Sequence, residues 1–290
     1  MICTLCPRNC GAERTPEKAG GVCRMPSLPV VAKAMLHLWE EPCLVGDRGA
    51  GCVFFSGCNL RCRFCQNGII SQEGFGKPID ASRLREIFHE LIDQGAACID
   101  LVTPTHFTDV ILEALGDEAW PVPVVWNCGG YEKPETIRRL DGKVQVYLPD
   151  LKYGLEAPGA SYSGAGDYWK WAEASIQEMY RQTGPYRIED GRLVRGVLIR
   201  HMILPGELDN TRAVIDWVSR TFEPGQVLFS LMSQYTPQPG ATGKLARHVT
   251  GAEYRAATAY MENCGIIDGF TQERTSAKEE YTPAFDLSGV

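Results

Sequence analysis

The stretch GCNLRCRFCQN carries three cysteines, Cys58, Cys62 and Cys65, at C-x3-C-x2-C spacing. Three thiolates leave a zinc ion one ligand short. They suit an iron–sulfur cluster of the cubane type, which has four irons. A fourth thiolate would close the cluster and leave an electron carrier. Three leave one iron open to a substrate or cofactor, the same logic that separates closed structural metal sites from open catalytic ones. The spacing differs from the C-x2-C-x2-C run of bacterial ferredoxins and from the paired C-x2-C of zinc ribbons.

A second group, Cys3, Cys6, Cys10 and Cys23, follows C-x2-C-x3-C-x12-C. Four thiolates close a site, so this one is structural or electron-transferring and holds either zinc or a second iron–sulfur cluster. The other five cysteines, Cys43, Cys52, Cys98, Cys128 and Cys264, are scattered and read as core residues, because free cysteine packs as a small hydrophobe. Disulfides are not expected in a large chain whose N-terminus, MICTLCPRNCG, lacks the apolar core of a secretory signal.

Composition narrows the partners. The formal net charge of −7 argues against nucleic acid or an anionic membrane as the default partner. No apolar stretch approaches the roughly 18 to 20 residues that span a bilayer, so a cytoplasmic location is expected. At 290 residues the chain is long for an average domain and normal for a single α/β barrel.

The elements that must position the cysteines can be read from periodicity. Strands are expected at 52–57, 98–103, 123–127, 144–151, 196–204 and 227–233. Helices are expected at 82–95, 107–116, 133–140, 167–184, 210–222 and 250–265. Near-continuous apolar strands alternating with helices form parallel sheets with helical crossovers. Six such units, with no GxGxxG loop after the first strand, predict an α/β fold: a partial (β/α)6 TIM-like barrel with a short cysteine-rich N-terminal extension. The expected boundaries are 1–45 for the extension and lead-in strand, 46–275 for the barrel and 276–290 for a tail whose Glu279 and Glu280 are solvated. The extension is rich in Gly, Pro and charge and cannot bury enough apolar surface to fold alone, a deficit that a bound metal offsets.

Polar residues collect just after each strand. The Cys58 group follows the first, and Thr103, Thr105 and His106 of TPTH follow the second. Asn127 and Gly129 of NCGGY follow the third, Asp150 and Lys152 of PDLKY the fourth, and the fifth carries Arg200. In an α/β barrel these strand ends surround one mouth, where active sites sit. The hydroxyls and imidazole of TPTH offer polar contacts, and the NCGGY glycines let the backbone come close to a bound group. Strand alternation puts Arg200 and His201 on opposite faces, so with Arg200 in the mouth His201 faces the helices.

CNLRCRFC, with the aromatic Phe64 before its third cysteine, resembles the signature of the radical S-adenosylmethionine enzymes. The resemblance implies a [4Fe-4S] cluster on Cys58, Cys62 and Cys65, with S-adenosylmethionine (SAM) bound at the open iron. It also implies reductive cleavage to a 5′-deoxyadenosyl radical that abstracts a hydrogen atom. Over residues 50–235, SGCNLRCRFCQN, YLPDLKY and RHMILPGELDN are similar to blocks of the activating enzymes for glycyl radical enzymes, typified by the pyruvate formate-lyase activating enzyme. With the N-terminal CTLCPRNC they look like a divergent branch of that group. Carried over by position, Asp150, Lys152 and Arg200 contact SAM. Phe64, Asn67, Thr103, Thr105, His106, Asn127 and Gly129 complete the expected cofactor-binding set. VTPTH departs from the pattern, standing where an acidic G-G-E-like block is expected. The implied partners are a flavodoxin- or ferredoxin-type electron donor and a glycyl radical enzyme, in an anaerobic setting. Radical modification of a peptide, nucleoside or small metabolite is the alternative, and a non-catalytic iron–sulfur sensor or scaffold is the alternative of another class.

Overall fold

A computed structural model describes residues 2–272 and 283–290; Glu279 and Glu280 lie outside the described residues. After the cysteine segment come β1 (Val30–His37), a short α1 (Pro42–Val45) and β2 (Ala50–Phe55). The Cys58 loop leads to α2 (Gly68–Ser71), the two-residue β3 (Lys77–Pro78) and α3 (Ala81–Asp93). Then follow β4 (Ile99–Val102), α4 (Thr108–Leu115), β5 (Val124–Cys128), α5 (Pro134–Arg138) and β6 (Val146–Pro149). The second half holds α6 (Glu156–Ser163), α7 (Tyr168–Thr183), β7 (Arg187–Glu189), β8 (Arg192–Met202) and α8 (Leu208–Thr221). It closes with β9 (Leu228–Met232), α9 (Gly251–Asn263) and β10 (Gly269–Thr271).

The helices form where their ends and faces favour them. The Asp80 side chain caps α3 by accepting from the Arg83 N–H, and Leu84, Ile87, Phe88 and Leu91 make one buried face. Thr250 and Glu253 form a reciprocal capping box at the start of α9. Each crossover helix brings the chain back to the same end of the sheet, so the next strand runs parallel.

The six expected strands are β2, β4, β5, β6, β8 and β9, paired in that order and all parallel. β2, β5, β6 and β9 are buried along their whole length, as strands covered on both faces must be. A short seventh parallel strand, β10, pairs with β9. β1, grouped with the extension in the sequence reading, runs antiparallel along β2, and β7 forms a hairpin with the start of β8. Three-residue strands such as β7 and β10 carry no usable period. Among the described residues β10 pairs with neither β1 nor β3, so the barrel stays open. Tail residues 283–290 fold back on β1. There the Ala34 N–H donates to the Ser288 carbonyl, and Lys33 pairs with Asp286 at 3.0 Å.

His201 points away from the mouth and is fully buried. Its Nδ1 lies 2.6 Å from the Leu151 carbonyl, which can only accept, so Nδ1 carries the proton and Nε2 accepts from the Thr211 hydroxyl at 3.0 Å. Burial lowers its pKa to about 4 even though the Leu151 carbonyl favours the charged form. An unfolded histidine takes up its proton near pH 6.5, so acidification from there to about pH 4 favours the unfolded chain. His201→Gln removes that group. In urea unfolding between pH 7 and 4, wild type should lose stability relative to the variant by up to about 1.4 kcal/mol per pH unit. A gap between the two that is constant with pH would contradict this assignment.

Candidate active site

The cluster loop leaves β2 through Gly57 at φ +79°, where an added Cβ would lie 2.3 Å from Met25 Cγ. Only glycine lets the chain turn that close to the N-terminal segment. Beyond it the three sulfurs are surrounded by donors. The Leu60 N–H donates to Cys58 Sγ at 3.4 Å, the Ser163 hydroxyl to Cys62 Sγ at 3.0 Å and the Ser71 hydroxyl to Cys65 Sγ at 3.2 Å. Phe64 is buried edge-on among Tyr153, Tyr162 and Tyr235 and fixes the loop between Cys62 and Cys65.

Burial, followed by the charge of Cys62, pushes the Cys58 thiol up to about 12 and raises Cys65 as well. Both shifts favour the protonated thiols of Cys58 and Cys65, whose protons metal binding must displace. Among the described residues, Glu40, Cys52 and Asp100 are the set of three His, Cys, Asp or Glu ligand atoms lying within 4.8 Å of one another. The sulfurs of Cys58, Cys62 and Cys65 are not all that close. A single zinc ion would hold its thiolates about 3.8 Å apart, from Zn–S bonds of about 2.3 Å. The wider set fits a cluster, whose separate irons stand between the ligand sulfurs.

All three cysteines line a cavity of about 240 Å³. Asp150, Lys152 and Arg200 line it too, as do Phe64, Asn67, Thr103, Asn127 and Gly129. The parallel bridge between Asp150 and Arg200 sets those two side by side. Arg200 donates to Asp150 Oδ1 at 2.9 Å, to Glu40 Oε1 at 2.9 Å and to Asn127 Oδ1 at 2.7 Å. Lys152 Nζ reaches Asp150 Oδ2 at 2.5 Å. Burial by itself would raise the Asp150 carboxyl, but the charges of Arg200 and Lys152 outweigh it and hold the group below the usual carboxylate range. Burial would likewise lower Lys152, yet Asp150 and Cys62 raise it. The cavity wall thus carries one ionised carboxylate between two fixed cations.

Thr105 and His106 do not line this cavity. Thr103 sits at φ +61°, a left-handed conformation that costs a β-branched residue on the order of 1–3 kcal/mol. That turn keeps Thr103 on the cavity and sends the next residues elsewhere. The Thr105 hydroxyl donates to Glu132 at 2.6 Å, and His106 Nε2 lies 2.7 Å from the Ser56 carbonyl. His106 faces a smaller cavity shared with Cys3 and Arg14 of the N-terminal segment.

Glu40 had no sequence signal. It lies in a WEEP stretch after β1, with no motif or period to mark it, and reaches Arg200 only because β1 returns antiparallel along β2. Asn127 Nδ2 donates to both Glu40 and Asp100 at 3.2 Å. Asp100 is fully buried, and burial and Glu40 push its carboxyl well above the usual range, so it keeps its proton. Glu40, Cys52 and Asp100 are therefore members of the hydrogen-bonded network behind Arg200. Cys128, read as a core residue, also lines the main cavity.

Residues 45–112, which include the three cysteines, match the family model of a 4Fe-4S single cluster domain. The cofactor of this loop is accordingly a [4Fe-4S] cluster. The uncharacterized protein MJ0674 of Methanocaldococcus jannaschii is 30% identical over 246 residues, 81% of this chain and 66% of that protein. The structure is similar to that of Streptococcus suis SuiB, with a TM-score of 0.51 and 14% identity over 75% of this chain and 47% of SuiB. SuiB bound to S-adenosylmethionine gives a TM-score of 0.47 at 12% identity over 77% of this chain and 47% of SuiB. The chain thus spans just under two thirds of its curated relative and less than half of SuiB. The likeness to SuiB shows a shared α/β fold.

Hydrogen bonds to ligand thiolates stabilise the reduced, more negative cluster. Ser163→Ala removes the donor to Cys62, and Ser71→Ala removes the one to Cys65. Each loss of about 1 kcal/mol should lower the cluster's reduction potential by about 40 mV in an anaerobic redox titration. An unchanged or raised potential in both variants would show that these hydroxyls do not act on ligand sulfurs.

Proposed function

We propose that this protein is a radical S-adenosylmethionine enzyme, and that it acts as an activating enzyme for a glycyl radical enzyme. One observation carries the first part. A single cavity has three cluster cysteines on one side and the Asp150, Lys152 and Arg200 charges on another. SAM carries an amino cation, a carboxylate and a sulfonium within one small molecule. Asp150 suits the amino group, and Lys152 and Arg200 suit the carboxylate. When bound, the cluster supplies the low-potential electron and open iron from which the family's 5′-deoxyadenosyl radical arises. Glu40 and Asn127 hold the Arg200 guanidinium in place. Gly129, where a Cβ would fall 2.9 Å from Leu60 Cδ1, lets the β5 loop pack on the cluster loop.

The activase reading rests on the resemblance of the strand-end blocks. It brings with it a flavodoxin- or ferredoxin-type donor and a glycyl radical enzyme as partners. No described helix is long and apolar enough to cross a membrane.

Anaerobically reconstituted protein given dithionite should release 5′-deoxyadenosine and methionine from SAM. A properly loaded cluster yielding neither product would favour the sensor or scaffold reading. Electron paramagnetic resonance on a mixture with a glycyl radical enzyme should show a glycine-centred doublet. SAM cleavage without it would shift the assignment to a peptide, nucleoside or small metabolite. Asp150→Asn should weaken SAM binding about 10- to 100-fold, as expected for the loss of one charged hydrogen bond, while iron content stays at the wild-type level. Equal affinity in the variant would remove Asp150 from the binding site.

A further inference from the structure

We propose that Cys3, Cys6, Cys10 and Cys23 hold a second [4Fe-4S] cluster, closed by four thiolates and packed against the loop of the first. The proposal stands on the N-terminal segment itself and does not depend on the activity assigned to the cavity.

The four thiols share one neighbourhood. None forms a disulfide. Cys3 and Cys10 lie close enough to Cys23, and Cys23 and Cys3 close enough to Cys6, for a thiolate on one to act on the next. A Cβ on Gly21, at φ +75°, would lie 2.9 Å from Cys10 Sγ and 3.9 Å from Cys23 Sγ, so the backbone wraps closely round the sulfurs. Arg14 Nη1 donates to Cys3 Sγ at 3.3 Å.

The segment is built like the established cluster loop. In both, an N–H donor reaches a cysteine sulfur: Arg14 Nη1 at Cys3 Sγ, as the Leu60 amide at Cys58 Sγ. Such bonds suit thiolates that keep their charge on a metal. The spacing then separates the two candidate metals. No three of the four sulfurs lie within 4.8 Å of one another. A zinc tetrathiolate would place all of them about 3.8 Å apart. In this the N-terminal set is like Cys58, Cys62 and Cys65, which lie within the cluster-domain match and likewise are not all within 4.8 Å of one another.

Arg8 joins the two sites. It lies between Cys6 and Cys10, and its guanidinium donates to the Asn59 carbonyl at 2.7 Å and the Leu60 carbonyl at 3.4 Å, both between Cys58 and Cys62. It also donates at 2.6 Å to the carbonyl of Ser163, whose hydroxyl serves Cys62. The second cluster would therefore sit one side chain away from the first. With four thiolate ligands it has no open iron for SAM.

The test is a metal count on the full chain after anaerobic reconstitution. About eight irons and eight sulfides per chain are expected, without stoichiometric zinc. The Cys3→Ser/Cys6→Ser variant should fall about twofold in iron, and so should Cys58→Ser/Cys62→Ser/Cys65→Ser. Should either variant fail to fold, the wild type alone decides. Its dithionite-reduced resonance spectrum should contain two cluster signals, of which SAM perturbs one. About four irons per chain, with or without one zinc, would overturn the proposal. Eight irons with neither signal responding to SAM would uphold the second cluster and tell against the function proposed for the cavity.

Discussion

A permanent positive charge inside the barrel organises much of the site. The Arg200 guanidinium cannot lose its proton, and a buried charge without partners is very costly. Asp150, Glu40 and Asn127 each meet one of its nitrogens, from three separate parts of the chain. Lys152 then shares Asp150, and burial, followed by the charge of Glu40, raises the Asp100 carboxyl well above the usual range. The result is a preformed set of charges facing three thiols across one cavity, with little rearrangement needed to meet a zwitterionic ligand.

The cluster side is arranged by different means. The three cysteines lie in one short loop, but their surroundings are assembled from elsewhere: Ser71 from α2, and Tyr153 and Ser163 from beyond β6. Each hydroxyl is directed at a sulfur or at the hydroxyl that serves it. Arg8 adds backbone support from the N-terminal segment, so the extension forms part of the wall that holds the cluster loop. The strained turn at Thr103 has a comparable role, presenting one residue of TPTH to the cavity and withdrawing the rest.

The barrel was legible in the sequence to a good degree, for a local reason. β2, β4, β5, β6, β8 and β9 are continuous apolar runs, and helices with one buried face separate them, so periodicity reports both. β7 and β10 are too short to show a period, and β1 is recognisable as a strand but not as an antiparallel partner of β2. Within the site, polar residues at strand ends identified Asn127, Gly129, Asp150, Lys152 and Arg200 as neighbours, because barrel topology gathers those ends. The same rule misplaced Thr105 and His106 in the mouth, since it cannot foresee a positive φ one residue earlier.

The sequence by itself gathered three cysteines in one loop and four in the N-terminal segment, since residue type and spacing act over a few bonds of chain. It also determined the opposite facing of Arg200 and His201, since strand alternation is a property of the backbone. Only the tertiary structure decided who meets Arg200. Glu40 lies 160 residues away in sequence, and nothing local to either residue encodes the pairing. The contact of Arg8 with the cluster loop, 51 residues on, is of the same kind. Such contacts exist because burial leaves a charged or polar group no water to turn to, and that is settled only when the whole chain has packed.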